Sequence, residues 1–453
     1  MTAFLAACGN LSAGNLFSHY SSQHHDVYQL VKIGQYQQAL DGQQTDFAGV
    51  ILDNFELGRV SFLAEQYPQS LGAFEQSDLA IKEQQRQATL SLSQGVNSAG
   101  SLLTNDNMIN YEPADYELGF LHLYMSLNYL KKNDLSGALV EVRRANQVQE
   151  QAKKSRESEL QSAEQSAKKK GISPNVGAVL ARYPDGGEKL AEVQNGYLFY
   201  YSGLLYETSN SLNNAYVDYR RALAVSPNNQ AVIDATMRTA KKLGMSNDLR
   251  LLEQQYGNPV SLGKNQSRVI IIDEQGTVEA LKGWKQPLPM YDSRGNTAIY
   301  NLALPVYPKV TKTTYTPLLI NGENVESNAV VDINGMAKNN LNERLPAIVI
   351  RQGLRIYAKD SLRKQTRGSS NEEIGNLLIN VFNTLSEQPD TRSWQSLPAQ
   401  VSVASMEMDA GAQTISYAGK ELTFTVAAGH TALVWMSRQG SSVTWWHKQL
   451  GEM

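Results

Sequence analysis

Two textures divide the chain. From about Asp26 to Tyr256 apolar residues recur three and four positions apart, without sustained alternation. After Arg268 the apolar runs are short, alternate with polar residues and are broken by Gly, Asn and Asp. The pattern predicts an α+β multidomain chain: an N-terminal TPR-like α-solenoid followed by a β-rich, sandwich-like C-terminal region. The stretch "GNPVSLGKNQS" is rich in breakers and marks the change. The expected divisions are 1–25, a signal remnant and tether; 26–258, the helical repeats; and 259–453, the β-rich part. Each half is long enough to bury its own core, so separate folding is expected. The opposing expectation is that the β part caps the stack, because "RVIIID" is apolar on both faces and must be covered.

The helical half is repetitive. In "FYYSGLLYETSNSLNNAYVDYRRALAVSP" the residues Phe199, Gly203, Tyr206, Ala215, Tyr219, Ala222 and Pro227 stand at the spacings of the 34-residue tetratricopeptide pattern. Gly203 and Ala215 are small where two antiparallel helices touch. Tyr206 and Tyr219 fill the space beside them, and Pro227 stops the second helix. A second copy carries Leu57, Gly58, Ser70, Phe74 and Ser77, and a third carries Ser126, Tyr129, Ala138, Val142 and Ala145. "VKIGQYQQAL" reads as a degenerate start and "AVIDATMRTAKKLGMSNDLRLLEQQYG" as a terminal helix pair, as end units of a stack are atypical. Two long insertions interrupt the units. One ends in "TNDNMINYEPADYE". The other begins as an outward helix extension and reaches Lys168-Lys169-Lys170, either a solvated helix end or a contact for phospholipid headgroups.

In the second half "RVIIID" and "PAIVIRQ" read as buried strands, and "NEEIGNLLINVFNTLSE" as a helix. Asn321-Gly322 between extended runs is a hairpin signal. The tail from "AQVSVAS" to "SSVTWW" alternates and suggests an antiparallel sandwich-like unit, with Trp435, Trp445 and Trp446 as packing residues.

Composition adds limits. With 42% hydrophobic and 19% charged residues the chain is globular. A net charge of −3 gives no reason to expect nucleic acid. No run of 18 apolar residues reads as a spanning helix. There is one cysteine, Cys8, and it changes the picture. Leu5-Ala6-Ala7-Cys8 followed by Gly9 has the form of a bacterial lipobox: small residues let an extended backbone pass the signal peptidase, and the Cys8 thiolate takes the diacylglycerol. Lipidation at Cys8 is expected, although no basic residue precedes it, as a secretory signal requires. A start codon placed too far downstream, or a trimmed signal, would account for this; a chance LAAC in a cytosolic chain is the other reading. Gly9 and Asn10 lack the acidic residue that retains enteric lipoproteins at the inner membrane, so the expected location is the periplasmic side of the outer membrane.

No catalytic constellation stands out. Phosphate-loop, nucleophile-elbow, H-E-x-x-H and C-x-x-C patterns are absent. His24-His25-Asp26 has chelating residue types but falls in the expected tether, and "DINGMAKNN" lacks the acidic spacing of a calcium loop. Neither a metal nor a cofactor is expected, and an enzyme is not the leading reading. Glu141, Arg143 and Arg144 are weighed as a charge-assisted network pinning the "TNDNMINYEPADYE" loop, or else as an exposed helix face.

The stretch "INYEPADYELGFLHLYMSLNYLKKNDLSGALVEVRRAN" resembles a family of outer-membrane lipoproteins of Gram-negative bacteria with TPR-like helices and a β-rich C-terminal part. The resemblance rests on Tyr116-Glu117, Leu127 to Leu130, Asp134, Ala138, Val140-Glu141 and Arg143-Arg144, and on "DTRSWQSLP" from Asp390 to Pro398. It implies a location and an architecture rather than an activity.

The expected function is a lipid-anchored periplasmic scaffold: membrane-bound through Cys8, binding protein partners of the cell envelope, with room for an oligomer. Tyr197, Tyr200, Leu204 and Glu207 are expected to face a concave groove for a partner's helix or extended peptide. The alternatives are a periplasmic enzyme or glycan-binding protein working on cell-wall material, and a structural subunit of a secretion or flagellar ring.

Overall fold

The computed structural model describes residues 19–44, 47–93, 110–169, 173–174, 194–291, 297–310, 313–366 and 389–452. A short helix α1 (Tyr20–Gln23) leads into successive helical hairpins. These pair α2 (His25–Lys32) with α3 (Tyr36–Asp41), α4 (Val50–Leu63) with α5 (Tyr67–Ser93), and α6 (Asp115–Lys131) with α7 (Leu135–Lys169). After a two-residue strand β1 (Ser173–Pro174) come α8 (Gly196–Thr208) with α9 (Leu212–Val225), and α10 (Gln230–Lys242) with α11 (Ser246–Tyr256).

One turn joins every pair. Gly34, Glu65, Asn133, Asn210 and Gly244 each adopt positive φ just after the first helix. The next N–H then bonds back to the carbonyl five residues earlier: Gln35 to Leu30, Gln66 to Ser61, Asp134 to Tyr129, Ser211 to Tyr206 and Met245 to Ala240, all at 2.8–3.0 Å. This is a Schellman termination, which favours Gly or Asn at the left-handed position; Glu65 is the exception. The small-residue positions act as expected. A Cβ on Gly203 would lie 2.7 Å from the Tyr219 ring, and one on Gly58 2.5 Å from the Phe74 ring.

The second half begins with β2 (Gln266–Gln275), followed by β3 (Lys282–Tyr291), β4 (Thr297–Val306), β5 (Leu319–Ile320), β6 (Glu323–Asn324) and β7 (Asn328–Asp332). A long helix α12 (Ile333–Thr366) and the strands β8 (Gln400–Asp409), β9 (Gly411–Tyr417), β10 (Lys420–Val426), β11 (His430–Gln439) and β12 (Ser442–Glu452) complete the chain. The main sheet has the order β12-β11-β2-β8-β7, a second has β10-β9-β5-β6, and β1-β3-β4 form a third. The Asn321-Gly322 turn joins β5 to β6 with positive φ at both residues. The main sheet is mixed: β2 lies between β11, parallel to it, and β8, antiparallel.

The alternation of β2 explains how "RVIIID" is covered. Val269 and Ile271 pack with Ile415, Tyr417, Phe424 and Val426 of the second sheet, so the two sheets form a sandwich. Ile270 and Ile272 point the other way and join one core with the helices, among them Phe55, Phe62, Tyr124 and Tyr197. The texture changes between Tyr256 and Gln266, but the apolar core crosses that line. The β part keeps a sandwich core of its own, and the other face of its main sheet shares a core with the helices, as a cap on the stack would.

Two local readings are corrected. "PAIVIRQ" lies within α12, where Leu345, Ala347, Val349, Ile350 and Leu354 are buried and Gln352 Nε2 donates to the Ala303 carbonyl at 3.1 Å. A short apolar run cannot by itself separate a strand from a buried helix. The tether also ends earlier than residue 25, since Tyr20, Ser21 and His24 are buried. The helix expected at 371–387 lies outside the described residues.

Candidate functional site

The centre of the molecule is a segment without regular structure, Pro389 to Pro398, running between the helical hairpins and the main sheet. First-helix side chains hold it by its backbone. The N–H of Trp394 donates to Glu117 Oε1 at 2.7 Å, and those of Gln395 and Ser396 donate to Glu56 Oε1 and Oε2 at 2.6 and 3.2 Å. Arg59 Nε donates to the Ser396 carbonyl at 3.3 Å. Trp394 is the anchor. Its ring stacks on Phe55 at 4.4 Å between centroids, with Phe74 and Tyr124 at 5.7 and 5.9 Å, and its Nε1 donates to Ser396 Oγ at 3.0 Å. The N-terminal helix closes the far side through Ser21 to Thr391 and His24 to Gln395. Two stretches singled out in the sequence, Tyr116-Glu117 and Asp390 to Pro398, thus meet. Glu117 also accepts the Ala114 N–H that starts α6 and the hydroxyl of Tyr111.

Beneath the segment, Arg59 from α4 meets Glu274 from β2. Arg59 Nη2 donates to Glu274 Oε2 at 2.7 Å, both side chains being fully buried. Glu274 also accepts from Tyr124 and Tyr197 hydroxyls at 3.1 and 3.2 Å and from Trp435 Nε1 at 3.1 Å. The Arg59 guanidinium lies 4.5 Å over the Tyr124 ring. Burial pushes the Glu274 carboxyl above its ordinary value, while Arg59 and these donors pull it down. Burial raises Glu56 and Glu117 likewise, against the charge of His24 on the first and the hydrogen bond from Tyr111 on the second. A buried carboxylate accepting several N–H or O–H groups is a structural clamp: its charge is offset in place.

The four groove positions must be corrected. Tyr197, Tyr200, Leu204 and Glu207 are at most 4% exposed. Tyr197 is bound to Glu274 of the same chain. Glu207 accepts from Arg238 Nε and Nη2 at 2.8 and 2.7 Å and from the Tyr219 hydroxyl at 3.0 Å. The reason is that α8 is apolar all round and is buried from Gly196 to Glu207. Its "GYLFYYSGLLYE" carried that signal. The inner face of the stack is occupied by the chain's own sheet and by segment 389–398.

The Glu141 network exists with different members. Glu141 Oε2 meets His122 Nδ1 at 2.8 Å, Arg144 Nη1 lies 3.3 Å from Glu141, and Arg144 Nη2 pairs with Asp78. It ties α5, α6 and α7 together; of the "TNDNMINYEPADYE" stretch only Asn110 onward is described, and there Glu117 holds Tyr111 and Ala114. Arg143 points to solvent. Sequence reasoning missed Arg59 and Glu274. The available signal was a charge on an apolar face, Phe55-Arg59-Phe62 at helical spacing.

Cys8 lies outside the described residues. Among the described residues no group of three His, Cys, Asp or Glu is placed to hold a metal ion, and no helix is long and apolar enough to cross a membrane. A small depression, with a cavity volume of about 30 Å³ and open to solvent, is lined by Tyr20, His24, Phe47, Asp53 and Glu56 among others.

The fold is a TPR-like helical stack closed by a β-sandwich. The chain matches no family model and no curated protein. Among solved structures it is similar to MamA (AMB-1, P212121 crystal form), with 11% identity and a TM-score of 0.28, over 52% of this chain and 87% of that chain. A likeness of that degree carries no inference about function.

Proposed function

We propose that the protein is a lipid-anchored periplasmic scaffold, held by Cys8 on the outer membrane, that docks protein partners of the cell envelope. The observation that supports this reading is the use of the two sides of the helical stack. Its inner side is filled by the sheet and by Pro389 to Pro398. Apart from where α12 packs against α7, the second helices α5, α7, α9 and α11 remain as an outer surface, on which Leu79, Val140, Val217 and Leu251 are exposed. Stacked hairpins commonly bind partners on their concave side; with that side filled here, the outer side is the one left to a partner, and tethering raises effective concentration towards neighbours.

The experiment has two arms. Expressed with its upstream codons, the protein is expected to take up labelled palmitate, and Cys8→Ala to abolish uptake. A photo-crosslinking residue at Val140 or Val217 is expected to give a discrete adduct in intact cells, and one at buried Leu204 to give none. An unlabelled soluble protein refutes the anchor. Absence of adducts at the outer positions refutes the docking side.

A further inference from the structure

Two neighbouring second helices carry the same pattern. Val140-Glu141-Val142-Arg143-Arg144-Ala145 on α7 matches Val217-Asp218-Tyr219-Arg220-Arg221-Ala222 on α9. The acid and the second arginine of each copy pair within the helix, at 3.3 Å for Arg144–Glu141 and 3.4 Å for Arg221–Asp218. That arginine also reaches an acid on the preceding second helix: Arg144 pairs with Asp78 on α5, and Arg221 with Glu150 on α7 at 3.1 Å. Arg144, half-buried, and Arg221, at the surface, are therefore each paired with carboxylates and stitch neighbouring second helices laterally.

Of the four remaining residues of each copy, Val142 and Ala145, like Tyr219 and Ala222, are buried in the stack, and the leading valine and first arginine are not. Val140 and Val217 are each 49% exposed. Arg143 and Arg220 are exposed beside them, and neither has a carboxylate partner among the described residues; Arg220 lies 6.0 Å over the Tyr216 ring. On α11, which Tyr216 ties to α9 through Asp248 at 2.8 Å, Arg250 and Leu251 are also exposed, though not in the same order. The lateral bonds set the stagger. Asn146 meets Asp218, and Glu150 meets Arg221, so Val217 lies level with residue 145. Val140 and Val217 are then offset by about five residues, about 7.5 Å along the axis, and by one interhelical spacing of about 8–10 Å across it. The diagonal of about 12 Å equals the rise between residues i and i+8 on one face of a helix.

We propose that this outer face docks an acidic amphipathic helix of a protein partner, its apolar residues on Val140 and Val217 and its carboxylates on Arg143 and Arg220. The proposal rests on the scaffold reading only in taking the second-helix faces as the docking side. Charge selects the occupant: Arg143 and Arg220 are exposed cations without a directly paired carboxylate among the described residues, Arg220 lying against Tyr216, whose hydroxyl meets Asp248 at 2.8 Å, and both flank exposed apolar residues, a match for carboxylates flanking leucines.

The probe is a labelled helical peptide of about five turns, with leucines at i, i+4 and i+8 flanked by glutamates, titrated into the full chain. Its control has lysines for the glutamates. The acidic peptide is expected to bind, more weakly as salt rises, and the basic one not to bind. R143E/R220E is expected to lower affinity by about tenfold or more. V140S/V217S is expected to lower it at high salt as well. Melting of both double variants should match the parent, since exposed positions change stability little. Equal binding of both peptides, no binding of either, or affinity indifferent to R143E/R220E overturns the proposal. So does binding of phosphatidylglycerol vesicles through these arginines without peptide binding. Each of these results leaves the palmitate and crosslinking arms standing, so the two readings fail separately.

Discussion

Trp394→Ala tests whether segment 389–398 joins helices and sheet into one unit. Trp394 is fully buried against Phe55, Phe74 and Tyr124. Truncating a buried aromatic to alanine costs about 3–5 kcal/mol. The lost bond from Nε1 to Ser396 Oγ adds about 1 kcal/mol. The backbone N–H held by Glu117 is unchanged, so a loss of about 4–6 kcal/mol is expected. Its thermal signature depends on what melts together. At about 2.1 cal/mol/K per residue, the 453-residue chain melting as one unit would drop by about 4–6 °C. A β part melting alone from residue 267 would drop by about 10–15 °C while the helical part stayed put. Calorimetry, with far-UV circular dichroism for helix and near-UV dichroism for the aromatic core, separates these outcomes. One transition shifted by a few degrees in both signals is expected. A helical transition unmoved beside a shifted β transition, or a total loss below about 1 kcal/mol, would refute the clamp.

Fragments 26–258 and 267–453 are expected to aggregate alone and refold together, because Ile270, Ile272, Trp435 and the helices share one core; two soluble, cooperatively melting fragments in circular dichroism would show otherwise. Gly58→Leu and Gly203→Leu are each expected to lower the urea midpoint by the equivalent of about 1–3 kcal/mol, since even a Cβ would press on Phe74 or Tyr219. Glu207→Gln should alter the pH dependence of stability. Burial pushes this carboxyl up, but the Arg238 guanidinium outweighs it and holds it down to about 2, from 4.5. A carboxyl lowered on folding stabilises above its unfolded value, and that contribution, about 3 kcal/mol, is lost as pH falls from about 4.5 to about 2. Urea melts should therefore show Glu207→Gln well below the parent at neutral pH and close to it near pH 2; a constant gap would contradict the assignment.

The helical hairpins were legible because their determinants are local. Gly203 with Tyr219, and Gly58 with Phe74, are close in sequence and touch whatever lies beyond the hairpin. The turns at Gly34, Asn133, Asn210 and Gly244 use residues that tolerate positive φ, as does Asn321-Gly322 in the second half. Glu65 was illegible because its turn is imposed by the packing of α4 on α5. The groove residues were misjudged for a related reason. The repeat pattern tells which side of α8 faces inward, not what occupies the inside.

By itself, then, the sequence determined periodicity: helical hairpins first, strands after, and a change of texture near Tyr256. Only the tertiary structure decided that Arg59 would meet Glu274 across 215 positions, that Glu56 and Glu117 would hold the backbone of Trp394 to Ser396, and that the inner face would be closed from within. Periodicity is written in neighbours a few residues apart. A buried charge needs its partner brought from elsewhere in the chain, and a strand apolar on both faces needs two covers. Those demands are visible in Arg59 and in "RVIIID", but which residues meet them is settled only when the distant parts of the chain pack.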